Sequence, residues 1–219
     1  MTTLTADASA TQDFLARCRR RLATAPPAHA FDAAVLPDFG DYRLNAVDLE
    51  TDLLARARPA AVLIATVARP DGPTLILTER TAHLRAHSGQ VAFPGGKIDA
   101  TDASPAAAAL REAQEEIGLD PARVETLGYL DPYISTSGYR ILPVVGLVPP
   151  DVALTPNPHE VARVFETPLA FLMDPANHQR GARLRNGERR EFYLMPYRDQ
   201  HIWGVTAGII RALYERLYG

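Results

Sequence analysis

The chain has 219 residues, of which 47% are hydrophobic and 22% are charged, and its formal net charge is −3. This composition excludes global disorder, and the net charge argues against a nucleic-acid binder that works through a basic surface. A single cysteine, Cys18, excludes an internal disulfide, and no secretory signal pattern begins the chain. The longest apolar run, residues 60–68, is far shorter than the roughly 20 residues of a membrane-spanning helix. We therefore expect a cytoplasmic protein with no membrane or nucleic-acid partner.

The first 59 residues carry weak structural signals. Residues 11–23 predict a short amphipathic helix that places four apolar side chains on one side, namely Phe14, Leu15, Cys18 and Leu22. A segment rich in proline and alanine follows. We expect residues 1–59 to be an N-terminal extension of the same unit, and residues 60–219 to be the main domain.

The main domain predicts strands that alternate with two main helices. Residues 60–68 and 74–80 predict a hairpin around a Pro-Asp-Gly turn, and Asn186-Gly187 marks a second hairpin turn. The other predicted strands lie at 90–96, 123–131, 141–148, 159–166, 181–185 and 190–197, and the helices at 105–117 and 208–218, with a loop at 133–140. This pattern predicts an α/β sandwich around a mixed sheet.

The helix at 105–117 has well-marked ends and an unusual distribution of charge. Ser104 suits the N-cap and Gly118 the C-terminal cap. Leu110, Ala113 and Ile117 fall on one face, and three glutamates fall together on the opposite face: Glu112, Glu115 and Glu116.

Like charges at these spacings repel each other, so the arrangement predicts a compensating cation. Clustered carboxylate oxygens suit Mg²⁺ or Mn²⁺. The alternative is a solvated acidic face in which Arg111 pairs with Glu115 four residues later.

The sequence around this helix resembles the Nudix box, Gly-x5-Glu-x7-Arg-Glu-U-x-Glu-Glu-x-Gly-U, where U is apolar. Gly96 fits its start, and residues 111–119 fit its second half. One departure is that the first acidic position falls on Asp102, and eight residues rather than seven separate it from Arg111. Asp99 and Asp102 are both candidates for that position.

A second motif lies immediately upstream, at residues 77–96. It resembles the signature of the coenzyme A pyrophosphatase branch of Nudix hydrolases, Leu-Thr-x-Arg-Ser-x3-Arg-x3-Gly-x3-Phe-Pro-Gly-Gly, with Thr81 in place of serine. Weaker likenesses extend the resemblance over most of residues 60–219.

The resemblance implies a Nudix fold, an α/β/α sandwich with a mixed sheet. It implies hydrolysis, with Mg²⁺ or Mn²⁺, of the diphosphate of coenzyme A, and of acyl-CoAs, to 4′-phosphopantetheine and adenosine 3′,5′-bisphosphate. The implied metal ligands are Glu112, Glu115 and Glu116. One of these glutamates, or Glu160 in a downstream strand or loop, would take the proton of the attacking water.

The same resemblance implies a set of substrate-binding residues, which consists of Arg80, Arg85, Gly89, Gly95 and Gly96. Lys97, the only lysine of the chain, follows Gly96 directly, where its ammonium group could bind phosphate. The two arginines could bind the 3′-phosphate, bind the diphosphate or only fix the loop. We expect Trp203 and the C-terminal helix to belong to the core.

Two other functions fit the same residues. One is a Nudix hydrolase of another nucleotide, such as ADP-ribose, a dinucleotide or a nucleoside triphosphate. The other is a non-catalytic nucleotide sensor of the same fold, which loss of the box glutamates would favour. The oligomeric state, monomer or homodimer, stays open.

Overall fold

The computed structural model of the chain describes residues 3–45, 51–82, 89–185 and 187–219. Within these ranges, no helix is both long and apolar enough to cross a bilayer. The helices are α1 (Thr3–Arg21), α2 (Thr51–Arg56), α3 (Pro105–Ile117), α4 (Leu169–Leu172) and α5 (Val205–Tyr218).

Twelve strands lie within the described ranges. The first six are β1 (Phe39–Gly40), β2 (Arg58–Val67), β3 (Thr74–Arg80), β4 (Val91–Ala92), β5 (Gly95–Lys97) and β6 (Glu125–Tyr129). The other six are β7 (Tyr133–Ser135), β8 (Tyr139–Val148), β9 (Val161–Pro168), β10 (Gln179–Arg185), β11 (Glu188–Tyr197) and β12 (Gln200–Trp203).

A mixed sheet forms the centre of the molecule. Strands β1, β7, β8, β2, β3 and β4 follow one another in that order, while β5 pairs with β2, β6 with β8 and β9 with β3. β2 and β8 are parallel along their whole length, and β2 and β3 form the predicted antiparallel hairpin.

Helices cover both faces of this sheet, which explains the continuous apolar sequence of β2. Its side chains alternate in direction, so that Leu63 and Ala65 pack in one core with α3. Ala60 and Ile64 pack in the other core, with α1 and α5. The predicted α/β/α sandwich with a mixed sheet is therefore confirmed.

The helix predicted at 11–23 is confirmed over residues 11–21, within the longer helix α1, which ends at Arg21. Its four predicted apolar side chains are all buried against the core that contains α5. The N-terminal segment thus packs directly on the main sheet.

Two predictions about the strands were wrong or incomplete. The segment 133–140, expected to be a loop, contains β7 and the start of β8, which pair as a hairpin from Tyr133 to Ile141. β12 was not predicted, and it joins β10 and β11 in a separate three-stranded sheet. The strands on either side of the Asn186-Gly187 turn pair as expected; Asn186 itself lies outside the described residues.

Candidate active site

The acidic helix α3 starts and ends as its sequence predicts. The Ser104 hydroxyl accepts a hydrogen bond from the Ala107 N–H, 3.1 Å away, and Gly118 adopts the left-handed conformation with φ of 65°. Ala113 and Ile117 pack in the core beneath the sheet. This packing fixes the rotation of the helix and therefore the direction of each glutamate.

Glu112 and Glu116 face Gly95 and Gly96, which lie in strand β5 and not in the turn that the sequence predicted. The Gly95 N–H donates a hydrogen bond to the Glu116 carboxylate at 3.2 Å. A Cβ atom at Gly96 would lie 2.6 Å from both Glu112 carboxylate oxygens, so a side chain at this position would displace the carboxylate from its present place. The two glycines and the two glutamates therefore form one structural unit.

Glu115 points elsewhere. Its side chain is 57% exposed, and its carboxylate accepts a hydrogen bond from Arg111 at 3.2 Å. The pair predicted between Arg111 and Glu115 is therefore present, but it coexists with two inward glutamates. The three glutamates do not share one environment as the helical spacing suggested, and the role of Glu115 as a metal ligand stays a prediction.

Arg111 holds the acidic groups around it in place. Its guanidinium donates two hydrogen bonds of 3.0 Å to Asp102, one of 2.9 Å to Glu112 and one of 3.2 Å to the carbonyl of Lys97. The bonds from Arg111 to Asp102 keep the pKa of Asp102 below its usual range. Arg111 therefore offsets part of the negative charge around it, and it fixes the Glu112 carboxylate from one side.

The two candidates for the first acidic position take different places. The Asp102 side chain is 5% exposed and is held by Arg111 and by the Asp99 N–H, 2.8 Å away. Asp99 is largely exposed and lies at the edge of the cavity described below. Asp102 therefore holds Arg111 in place, and Arg111 in turn holds the carboxylate of Glu112.

The upstream arginine motif converges on the same carboxylates. Arg80 Nη1 lies 3.6 Å from Glu116 Oε1, and the charge of Arg80 partly offsets that of the glutamate. Gly89 is exposed with φ of 67°, and its N–H donates to the Arg80 carbonyl at 3.1 Å. Its backbone therefore contacts that of Arg80 directly. Arg85 lies outside the described residues.

A cavity of about 880 Å³ contains most of the predicted site residues. Its inner wall includes Arg80, Gly95, Gly96, Lys97, Glu112, Glu116 and Glu160, whereas Glu115 and Gly89 do not line it. Its volume is at the upper end of the usual range for small-molecule sites.

The sequence did not indicate a second group of residues that line this cavity. This group includes Arg183, Arg190, Phe192 and Trp203, which belong to the three-stranded sheet. Trp203, expected in the core, is half-buried and faces the cavity. Residues 190–197 do not alternate between polar and apolar side chains, and no local pattern shows that this sheet lines the same cavity as the acidic helix.

Burial raises the pKa of both inward glutamates. For Glu116, which is 3% exposed, desolvation is the main cause and raises the pKa to about 7, against opposing contributions from the Gly95 N–H and Arg80. Desolvation also raises the pKa of Glu112, and the negative charge of Glu160 adds to both shifts. The negative charge of these buried carboxylates is only partly offset by neighbouring groups of the protein. A bound cation would therefore stabilise their charged form.

We expect the metal-free protein to lose stability as the pH rises from about 4.5 to 7. In this window folded Glu116 holds a proton that the unfolded chain has released, so the free energy of unfolding falls with rising pH, by up to about 3 kcal/mol from this group. Denaturant unfolding in EDTA at pH 5 and pH 8 measures the loss. The loss should shrink in Glu116→Gln, and equal losses in both proteins would contradict the assignment.

The oxygen donors present fit a hard divalent ion. Mg²⁺ keeps several waters and is commonly bound by one or two carboxylates together with substrate phosphates. Glu112 and Glu116 provide two such carboxylates at the cavity wall, and Glu160 lines the same space. Among the described residues, no group of three or more acidic, histidine or cysteine side chains is already arranged as a complete metal site.

The comparisons with known proteins point to one family. A model of the NUDIX domain matches residues 57–186. The uncharacterized Nudix hydrolase NudL of Escherichia coli (strain K12) is 49% identical over 156 residues, covering 71% of this chain and 81% of the relative. NudL of Shigella boydii serotype 18 matches with the same identity and coverage.

Solved structures of similar fold include the NUDIX domain of Shewanella oneidensis NrtR complexed with ADP ribose, with a TM-score of 0.46, 19% identity and coverage of 77% of this chain and 98% of that chain. A MutT/nudix family protein from Enterococcus faecalis has a TM-score of 0.46 at 15% identity, covering 80% of this chain and 71% of that chain.

The domain model matches more than half of the chain, and the NudL proteins share about half of the aligned residues. The chain therefore belongs to the Nudix hydrolase family.

Proposed function

We propose that this Nudix hydrolase cleaves the diphosphate of coenzyme A and of acyl-CoAs, yielding 4′-phosphopantetheine and adenosine 3′,5′-bisphosphate. The observation that supports this proposal best is the 3.6 Å approach of Arg80 to Glu116. It joins the arginine motif that resembles the coenzyme A branch to the acidic helix shared by all Nudix enzymes. A cation beside the carboxylates is suited to hold a diphosphate in place for attack by water.

The acidic wall would bind Mg²⁺ or Mn²⁺, as members of this family generally do. Such an ion, when bound, supplies neutralisation of the charge that develops on the phosphoryl oxygens. Glu112 and Glu116 would hold it, and Gly95 and Arg111 keep their carboxylates in position through the hydrogen bonds described above. Arg80 and Lys97 line the same wall and are available for the phosphate oxygens.

The reaction also needs a group that takes a proton from the attacking water. As the water oxygen bonds to phosphorus, the bond from phosphorus to the bridging oxygen breaks and the water releases a proton. Glu160 lines the cavity beside the helix glutamates and is half-buried. Its backbone is fixed, since its carbonyl accepts from the Thr81 N–H and its N–H donates to the Asn157 carbonyl, both at 3.0 Å.

We expect Glu160→Ala to lower kcat at least about tenfold with little change in KM, because a proton acceptor acts in the transition state. Steady-state kinetics across pH 6–9 measures the effect, with Glu125→Gln, an exposed glutamate of β6, as the control. If kcat is unchanged over this pH range, Glu160 is not the proton acceptor, and one of the glutamates of α3 must be.

A substrate panel tests the proposed function directly. The full chain is incubated with Mg²⁺ or Mn²⁺ and with coenzyme A, acetyl-CoA, ADP-ribose, a diadenosine polyphosphate and a nucleoside triphosphate, and the products are separated by chromatography. We expect the highest kcat/KM for the coenzyme A compounds. A clear preference for another compound would replace coenzyme A as the substrate, and no turnover of any compound would favour a nucleotide sensor.

A further inference from the structure

One face of the three-stranded sheet lines the same cavity as the acidic helix. Residues directly opposite each other on neighbouring strands point to the same face. Arg183 pairs with Arg190, Gly181 with Phe192, and Leu194 with Trp203, and positions alternate along β11. Arg183, Arg190, Phe192 and Trp203 therefore share the face that lines the cavity. We call this face the sheet wall.

The sheet wall carries an aromatic and cationic platform. The rings of Phe192 and Trp203 lie 5.1 Å apart at an angle of 59°, and the guanidinium carbon of Arg183 lies 4.8 Å from the centre of the Trp203 ring. A Cβ atom at Gly181 would lie 2.6 Å from the Phe192 ring, so the ring rests directly on the neighbouring strand. The two rings are half-buried and Arg183 is exposed. These side chains are held in place without being part of the core.

Such a platform suits a nucleobase. Bases stack on aromatic rings and on guanidinium planes, and each stacked base contributes on the order of 1–3 kcal/mol. Arg183 can stack with one side of its plane while its N–H groups bind a phosphate. Arg190 pairs with Glu188, whereas no carboxylate among the described residues pairs with Arg183. Arg183 is thus the cation of this wall that is available to a phosphate.

We propose that the sheet wall binds the adenine base and the 3′-phosphate of the substrate, with Phe192 and Trp203 stacking on the base and Arg183 binding the phosphate. The proposal rests on the proposed function, because it assigns the two ends of coenzyme A to different walls. The diphosphate then lies at Arg80 and the inward glutamates. The uncharged pantetheine arm fits the apolar lining that remains, which includes Leu53, Val62 and Ile141.

The single tryptophan of the chain reports on this wall directly, since Trp203 is part of it. The full chain with Mg²⁺ is titrated with the two products, which cannot be hydrolysed further at a diphosphate. We expect adenosine 3′,5′-bisphosphate to quench the fluorescence of Trp203 in a saturable way, and 4′-phosphopantetheine to leave it unchanged. Quenching by 4′-phosphopantetheine alone would overturn the proposal.

Variants test each contact. Arg183→Gln should weaken adenosine 3′,5′-bisphosphate binding at least tenfold and AMP binding much less, because only the former carries the 3′-phosphate. Phe192→Leu should weaken both by about fivefold or more, and Phe192→Tyr should restore binding. Arg180→Gln is the matched control, since Arg180 lies on the same strand opposite Tyr193 and faces away from the cavity. Unchanged binding in both Arg183→Gln and Phe192→Leu would overturn the proposal.

Kinetics separates this proposal from the proposed function. If coenzyme A is hydrolysed, Arg183→Gln should raise its KM at least tenfold with kcat within about twofold, because the contact lies away from the reacting phosphorus. If this variant hydrolyses coenzyme A with an unchanged KM, the proposed role of the sheet wall is contradicted, while the proposed function is not. The opposite result is that AMP quenches the fluorescence of Trp203, that Phe192→Leu abolishes this quenching, and that coenzyme A is not hydrolysed. This result would support base binding at the sheet wall and contradict the proposed function.

Discussion

Replacing Glu116 or Glu112 by glutamine is expected to lower kcat by at least about 100-fold while the fold is retained. Each change removes one negative charge from the wall where the divalent ion would bind, and the amide oxygen that remains is a much weaker ligand. The Glu116 carboxylate is buried and receives only a 3.2 Å backbone hydrogen bond and a 3.6 Å contact with Arg80. Its neutralisation should therefore not destabilise the metal-free protein at neutral pH.

The measurement combines steady-state kinetics with isothermal titration of Mn²⁺ into the metal-free protein. Both variants should bind Mn²⁺ at least tenfold more weakly than the wild type, whereas the surface variant Glu125→Gln should match it. Glu115→Gln decides the role of the exposed glutamate: a loss as large as that of Glu116→Gln would mean that Glu115 turns inward when the metal binds. Turnover near the wild-type rate in both Glu112→Gln and Glu116→Gln would refute the site.

The acidic helix was predictable because its signals are local. The cap residues Ser104 and Gly118 fix its ends within the sequence itself, and both act as predicted. Helical spacing alone did not distinguish the three glutamates. The inward direction of Glu116 depends on how Ala113 and Ile117 pack beneath the sheet, and that packing is a tertiary property.

The rest of the cavity depends on contacts between distant parts of the chain. Trp203 and Phe192 are apolar side chains whose sequence pattern is equally compatible with a core position. The pairing of β10, β11 and β12 is what brings these side chains onto one face, which lines the cavity shared with the acidic helix. In the same way, the hairpin of β7 and β8 was hidden because its polar residues, such as Ser135, are typical of a loop, although Ser135 is buried.

The motif of glycines and glutamates has a simple physical explanation. Gly95 is needed because its φ of 154° and the nearby Ala61 carbonyl, 2.5 Å from where a Cβ would lie, exclude a side chain. Gly96 is needed because Glu112 occupies the space beside it. The sequence spacing between these glycines and the helix therefore reflects direct contact. An alanine at Gly96 would displace the Glu112 carboxylate, whereas an alanine at Gly95 would clash with the backbone of β2.

Arg80 connects the two motifs. We expect Arg80→Gln to lower kcat/KM for coenzyme A by about 10- to 100-fold, because the variant loses one charge-assisted hydrogen bond to the substrate. Dephospho-CoA should lose activity by the same factor, because Arg80 lies beside the inward glutamates, where the diphosphate shared by both substrates would bind. Among the described residues its Nε is buried without a hydrogen-bond partner, so the guanidinium is not fully satisfied by the protein.

The comparison of the two substrates distinguishes the possible roles of Arg80, provided that the melting temperature is measured alongside. Arg80→Lys should recover part of the activity, because it keeps the charge without the planar fork. Arg123→Gln is the control, since Arg123 is exposed and pairs at the surface with Asp151. A loss confined to coenzyme A would assign Arg80 to the 3′-phosphate and remove that role from Arg183. Equal losses accompanied by a lower melting temperature, with no recovery in Arg80→Lys, would mean that Arg80 only fixes the loop below it.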